Sequence, residues 1–222
     1  MKKNLIEEGC GLSNNSETRI YRYGETINYK NEDYCVIDYS NANKDYVTLI
    51  KQDPLTYDEL IAYNSGYEIG RDSLDNNIGT LSYYKSSTCY YNSDNDNNTT
   101  GCNIDYNNSY IKNVVDNWSN SILSDLKEVD GYKVRLITYE ELKILGHEFY
   151  DYTGHHKSQK SDYDCLYSDA DYWTSSNGIE DIDYKKEIVS KNSNSNGLKY
   201  MDKLYAIRPV INLKKCALNG TC

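Results

Sequence analysis

A proline interrupts the last stretch of strand character in this chain, LYAIRPVINLKKC, Leu204 to Cys216. Pro209 has no backbone N–H to donate to a ladder, so a central strand cannot run straight through it. On these residues alone the segment reads as an edge strand or a bulged one.

The rest of the chain must fold around that break with a thin apolar supply. Leu, Ile, Val and Phe make up about a fifth of the 222 residues, the border at which a charged chain fails to fold. Tyrosine makes up the deficit: 25 Tyr residues bring large apolar rings whose hydroxyls tolerate a wet rim, so an aromatic core is expected. The formal net charge of −10 excludes a nucleic-acid-binding surface, because no Lys/Arg cluster is present to displace counterions from phosphates. Partners are expected to be neutral, cationic or carbohydrate-like. No apolar run is long enough to span a bilayer, and MKKNLIEEGCGL lacks the apolar centre of a signal peptide.

None of the seven cysteines forms a CxxC pair or sits at zinc-finger spacing with histidine. Disulfides are the expected use, in an oxidising, extracytoplasmic compartment. Cys89 and Cys102 bracket the polar run YYNSDNDNNTTG, and Cys216 and Cys222 bracket ALNGT, so each pair is expected to bridge. Cys10, Cys35 and Cys165 remain, leaving one thiol free or paired with another chain. A Cys35–Cys165 bridge between sheet elements is among the pairings open.

The expected organisation is one domain over 1–222. Residues 20–63 read as a meander of three strands (ETINYK, EDYCVIDYS, KDYVTLIKQ) and a short helix. In that helix Thr56 is the N-cap and Glu59 its capping-box partner, with an end near Tyr63. Residues 64–108, rich in Gly, Ser, Asn, Asp and Tyr, read as a loop-rich insertion. The core segment 109–215 opens with SYIKNVVDNWSNSILSDLKE, whose Ile111, Val114, Val115, Trp118, Ile122 and Leu126 fall on one helical face. VRLITYEELKILG reads as a strand leading into a second boxed helix, Thr138 with Glu141, ending at Gly146. DYWTSS reads as a strand, 177–202 as one hairpin, and the proline-broken segment closes the domain.

The amphipathic helix, VRLITYEEL, YWTSS (Tyr172 to Ser176) and IRPVINL (Ile207 to Leu213), in that order, resemble bacterial proteins of the C-type lectin-like fold. That group includes formylglycine-generating enzymes, the variable proteins of diversity-generating retroelements and many secreted modules. The resemblance implies an α+β domain with a mixed, mainly antiparallel sheet, two to three helices and long disulfide-stapled loops. It turns Arg208-Pro209 into a hinge: Tyr205 to Arg208 would lie beside YWTSS, and Val210 to Leu213 would seal the domain against the N-terminal strands. Arg208 would then be a buried partner for Glu140 or Glu141.

By the same resemblance the loops between YWTSS and the last strand form a binding platform. Its ligand-binding residues here would be Tyr172, Trp173, Asp181, Asp183, Tyr184, Asn194, Asn196, Tyr200 and Tyr205, the mix of rigid aromatics and adaptable amides that paratopes use. Cys216 and Cys222 lie beyond the last strand, which suits a staple better than the cysteine pair of a formylglycine-generating oxidase. The EPN, QPD and WND tripeptides of calcium-dependent sugar-binding lectins are missing, and Trp118 in DNW is expected in the core.

No cofactor or metal is expected. SDNDNN (93–98) lacks the glycine and terminal glutamate of a calcium loop, Asp162, Asp164, Asp169 and Asp171 read as solvated carboxylates, and His147, His155 and His156 as surface-loop residues. No nucleophile elbow, P-loop or dinucleotide fingerprint is present. The expected function is an extracellular or cell-surface ligand-binding or adhesion module for protein or glycan, of the retroelement-diversified kind, without catalysis. Its oligomeric state is open. The globular part of a pilin-like filament subunit and a formylglycine-generating-type modifying enzyme are the alternatives.

Overall fold

A computed structural model describes residues 19–38, 41–64, 66–83, 106–147, 163–176, 185–190, 197–200 and 203–222. Among these, eleven strands form two sheets and three short α-helices pack on them. The meander is as expected: β1 (Thr26–Tyr29), β2 (Glu32–Val36) and β3 (Tyr46–Lys51) pair antiparallel in sequence order. Lys30 and Asn31 join β1 to β2 with φ of 52° and 64°, the pair of positive values that a two-residue hairpin turn needs to match strand twist.

The helices follow their local signals. Thr56 and Glu59 close a capping box on α1 (Tyr57–Tyr63), and Thr138 and Glu141 close one on α3 (Tyr139–Ile144). Between them α2 (Tyr110–Ser119) buries Ile111, Val114, Val115 and Trp118. It is shorter than the apolar spacing predicts. After Ser119, whose hydroxyl donates to the Asp116 carbonyl, the chain leaves the helix and forms a 3-10 turn at Leu123–Asp125, yet Ile122 and Leu126 still reach the core.

Residues 64–108, expected as irregular, contribute two strands among those described, β4 (Ile69–Arg71) and β5 (Gly79–Leu81). Each spans three residues and contains a glycine, too short for alternation to register in the sequence. Gly79 has a packing reason. A Cβ there would lie 2.6 Å from Leu60 Cδ1 and 2.9 Å from the Thr56 carbonyl oxygen, because α1 rests directly on β5. Gly79→Ala is expected to lower stability by about 1–3 kcal/mol, read as a lower urea midpoint with unchanged slope. An unchanged midpoint would mean that α1 can lift off β5 freely.

Further along come β6 (Val134–Arg135), β7 (Tyr172–Trp173), the antiparallel hairpin β8 (Lys185–Val189) and β9 (Gly197–Tyr200), β10 (Tyr205–Ala206) and β11 (Val210–Lys214). One sheet has the order β1-β2-β3-β11-β6 and the other β4-β5-β10-β7-β8-β9. All pairs are antiparallel except β10 with β7. The proline-broken segment therefore belongs to both sheets, and neither strand is an edge. Pro209 lies between β10 and β11, where no ladder asks for its missing N–H, and its carbonyl accepts from the Lys51 N–H at 2.9 Å.

The core is as aromatic as the composition predicts. Tyr21, Tyr29, Tyr34, Tyr83, Tyr106, Tyr172 and Trp173 are buried with the aliphatics of both sheets and α2. Two disulfides lie among the described residues. Cys216–Cys222 is the expected staple, and Cys35–Cys165 joins β2 to a 3-10 turn at Asp164–Leu166. Cys10, Cys89 and Cys102 lie outside the described residues, as does SDNDNN. No described helix is long and apolar enough to cross a membrane.

Candidate functional site

The sheet-to-sheet crossing is organised by Arg208. Its guanidinium is fully buried, 4.7 Å from the centre of the Tyr172 ring. Nε donates to the Lys51 carbonyl at 2.8 Å, Nη1 to that of Leu166 at 2.6 Å and Nη2 to that of Cys165 at 2.7 Å. Burial presses its pKa down, countered by the Tyr172 ring hydroxyl and the Asp53 charge. The expected carboxylate partner is thus corrected. Glu141 is taken by Arg135, through contacts of 2.7 and 2.5 Å, and Glu140 is exposed on α3. The fork of N–H donors finds planar carbonyls as readily as a carboxylate when three chain segments converge on it.

Tyr172 and Trp173 are a second correction. Both are fully buried, so neither side chain offers a contact surface to a ligand. The Trp173 indole N–H donates to the Leu81 carbonyl at 2.8 Å, and its ring meets Tyr83 and Tyr205 edge-on at 5.0 and 4.8 Å. Tyr172 donates to the Leu166 carbonyl at 2.7 Å, and burial pushes its hydroxyl pKa up to about 12. Neighbouring residues of a strand point to opposite faces, and Trp173 and Tyr172 pack into two separate apolar clusters, so both faces of β7 are covered.

Tyr205 is half-buried on β10, with its pKa raised by burial and by Asp171. Tyr200 ends β9, where its backbone pairs with Lys185. Asp181, Asp183, Tyr184, Asn194 and Asn196 lie outside the described residues. The described residues within and beside 177–205 are mostly strands of one sheet. β7, β8 and β9 stand next to one another in the sheet, and β10 lies on the other side of β7, with the Ala206 N–H bonded to the Asp171 carbonyl at 2.9 Å.

Beside the turn that precedes β7 lies a cleft of about 670 Å³. Three chain segments far apart in sequence form most of it: Gln52 to Thr56 at the end of β3, Asp75 to Ile78 before β5, and Asp164 to Asp169 before β7. Asp53, Asp75 and Asp164 form no salt bridge among the described residues. The carboxylates do not converge: among the described residues no group of three His, Cys, Asp or Glu side chains could hold a metal ion. Asp162 lies outside the described residues. Sequence reasoning singled out Asp164 and Asp169 but missed Asp53 and Asp75, whose only local signal is their place in polar turns.

His147 corrects the surface-loop reading of the histidines. It is fully buried behind α3, with Nδ1 2.8 Å from the hydroxyl of Tyr167, which lines the cleft. His155 and His156 lie outside the described residues. No protein-family model matches the chain, and no curated protein or solved structure matches it either.

Proposed function

We propose that this chain is an extracellular ligand-binding or adhesion module with a C-type lectin-like fold, contacting protein or glycan through the segment 177–205. The observation that carries the reading is the rooting of that segment. It runs from β7 to β10, two neighbouring strands held by Trp173 and Arg208, and within it β8 and β9 extend the same sheet beyond β7. Polar loops on a rigid scaffold are where proteins concentrate recognition. Between those roots the chain carries Asp181, Asp183, Tyr184, Asn194, Asn196 and Tyr200, a set rich in paratope chemistry.

Two mostly antiparallel sheets, few helices and two disulfides accord with such a module and with an oxidising compartment. A pilin-like filament subunit would need an N-terminal assembly helix, whereas a retroelement-diversified protein would show substitutions between strains clustered in 177–205. The oxidase alternative needs reduced thiols, and all four described cysteines are bridged.

The test is binding of the purified chain to a defined glycan array and to immobilised mucin, beside the triple variant Tyr184→Ala, Asn194→Ala, Tyr200→Ala. Wild-type binding lost by about tenfold or more in a folded triple variant is the expected outcome. Equal binding by both proteins would place recognition elsewhere on the surface.

A further inference from the structure

We propose that Cys35–Cys165 is a thiol-responsive clasp on one wall of the cleft, and that its reduction loosens that wall while both sheets stay folded. The two sulfurs are placed unequally. Cys35 is fully buried on β2, whereas Cys165 is half-buried and lines the cleft. A small thiol therefore approaches the bridge from the Cys165 side.

The wall it holds belongs to neither sheet. Residues 163–169 form a single 3-10 turn and its flanks, carrying Asp164 and Asp169 to the rim of the cleft that Asp53 and Asp75 also line. Two kinds of attachment seat this turn. The covalent one is the bridge. The others are the Arg208 and Tyr172 bonds to the Cys165 and Leu166 carbonyls and the His147 contact with the Tyr167 hydroxyl, with the Leu166 side chain buried beneath.

On the outer side, the Tyr163 ring lies so close over the Gly24 turn that a Cβ on Gly24 would be 2.2 Å from it. That contact is held next to the bridge, which joins Cys165 to β2 where β2 pairs with β1. Cutting the bridge removes the only covalent tie between the turn and the first sheet among the described residues, and leaves the Arg208 pins in place. The predicted result is a wall that moves about a fixed inner edge.

The chemistry balances with a small-molecule thiol as reductant. Its thiolate attacks Cys165 Sγ, the protein S–S bond breaks, and Cys35 leaves as a thiolate that takes up a proton. A second thiolate attacks the outer sulfur of the mixed disulfide and releases Cys165 as a thiol. The net change is one protein disulfide reduced and two small thiols oxidised to their disulfide. This inference does not depend on what the 177–205 segment binds.

The experiment is amide hydrogen exchange on the whole chain with and without dithiothreitol, with the state of each bridge read by mass. A Cys35→Ser, Cys165→Ser variant is examined without reductant. Reduction is expected to raise exchange in 163–169 by about tenfold or more while β3 and β11 keep their protection, and the variant is expected to show the same pattern. Unchanged exchange in 163–169 after the bridge is shown to be cut overturns the proposal. So does a parallel loss of protection in β3 and β11, which would make the bridge a staple of the whole fold. A bridge that resists dithiothreitol while Cys216–Cys222 is reduced overturns it as well. If the variant does not fold, the reduced wild-type chain decides by the same criteria.

Discussion

Trp173→Ala is expected to lower folding stability by about 3–5 kcal/mol, the range for emptying a buried aromatic site. The ring is fully buried and sits edge-on between Tyr83 and Tyr205, so its loss opens a void with an aromatic wall on two sides. The void cannot close easily, because β7 is hydrogen-bonded to strands on both sides. The indole N–H also satisfies the Leu81 carbonyl, and its removal leaves that acceptor relying on the ladder alone. Trp173→Phe keeps most of the volume and loses the donor, so it is expected to fall between wild type and alanine. A domain whose total stability is about 5–15 kcal/mol has little reserve for the alanine variant. Urea unfolding followed by tyrosine and tryptophan fluorescence checks the order. A cost below about 1 kcal/mol would return Trp173 to the surface and to the ligand-facing role that the sequence resemblance implied.

Arg208→Met is expected to cost about 3 kcal/mol, as three buried carbonyls lose charge-assisted donors at once. Part of that loss is offset, because a methionine carries no charge to desolvate. The effect should also have a location. The Cys165 and Leu166 carbonyls belong to the turn before β7, and the Lys51 carbonyl to the end of β3, so the variant should unfasten the turn from the sheet crossing. Arg208→Lys keeps the charge but offers one compact ammonium in place of a planar fork, so it cannot reach three carbonyls on separate segments. It is expected to lie between the other two in stability, with hydrogen exchange in 163–167 raised in both variants. A fully stable methionine variant with wild-type exchange there would mean that packing, and not the guanidinium, holds the crossing.

The elements legible in the sequence were those whose causes are short-range. Thr56 with Glu59 and Thr138 with Glu141 declare their helices three residues apart, and both boxes form. The β1–β2 hairpin is announced by two strand-like runs with a short polar break between them, and the inner face of α2 by spacings of three and four. Cys216 and Cys222 are six residues apart and could hardly avoid each other. Pro209 was also legible in a limited sense. Its missing N–H requires a break in the ladder, and the break is there.

The destination of each element was not written locally. The resemblance implied a buried Arg208, but its acceptors come from residues 157, 43 and 42 positions away, whereas the resemblance pointed to Glu140 or Glu141. Tyr172 and Trp173 read equally well as a binding face or a core strand. Apolar clusters assembled from other regions of the chain on the two faces of β7 buried them. The cleft and the Cys35–Cys165 bridge depend on approaches across a separation of 130 residues, which side-chain type along the chain does not record.

The sequence by itself determined that the last strand breaks at Pro209, that two helices begin at their boxed polar caps, and that tyrosine must fill the core. Those follow from one residue's covalent structure, from hydrogen bonds within a turn, and from the scarcity of other apolar groups. Only the tertiary structure decided that the break joins two sheets, that Arg208 binds carbonyls in place of a carboxylate, and which aromatic rings are hidden. Each of those depends on which distant backbone segments pack together, and packing is settled by the burial of the whole chain at once.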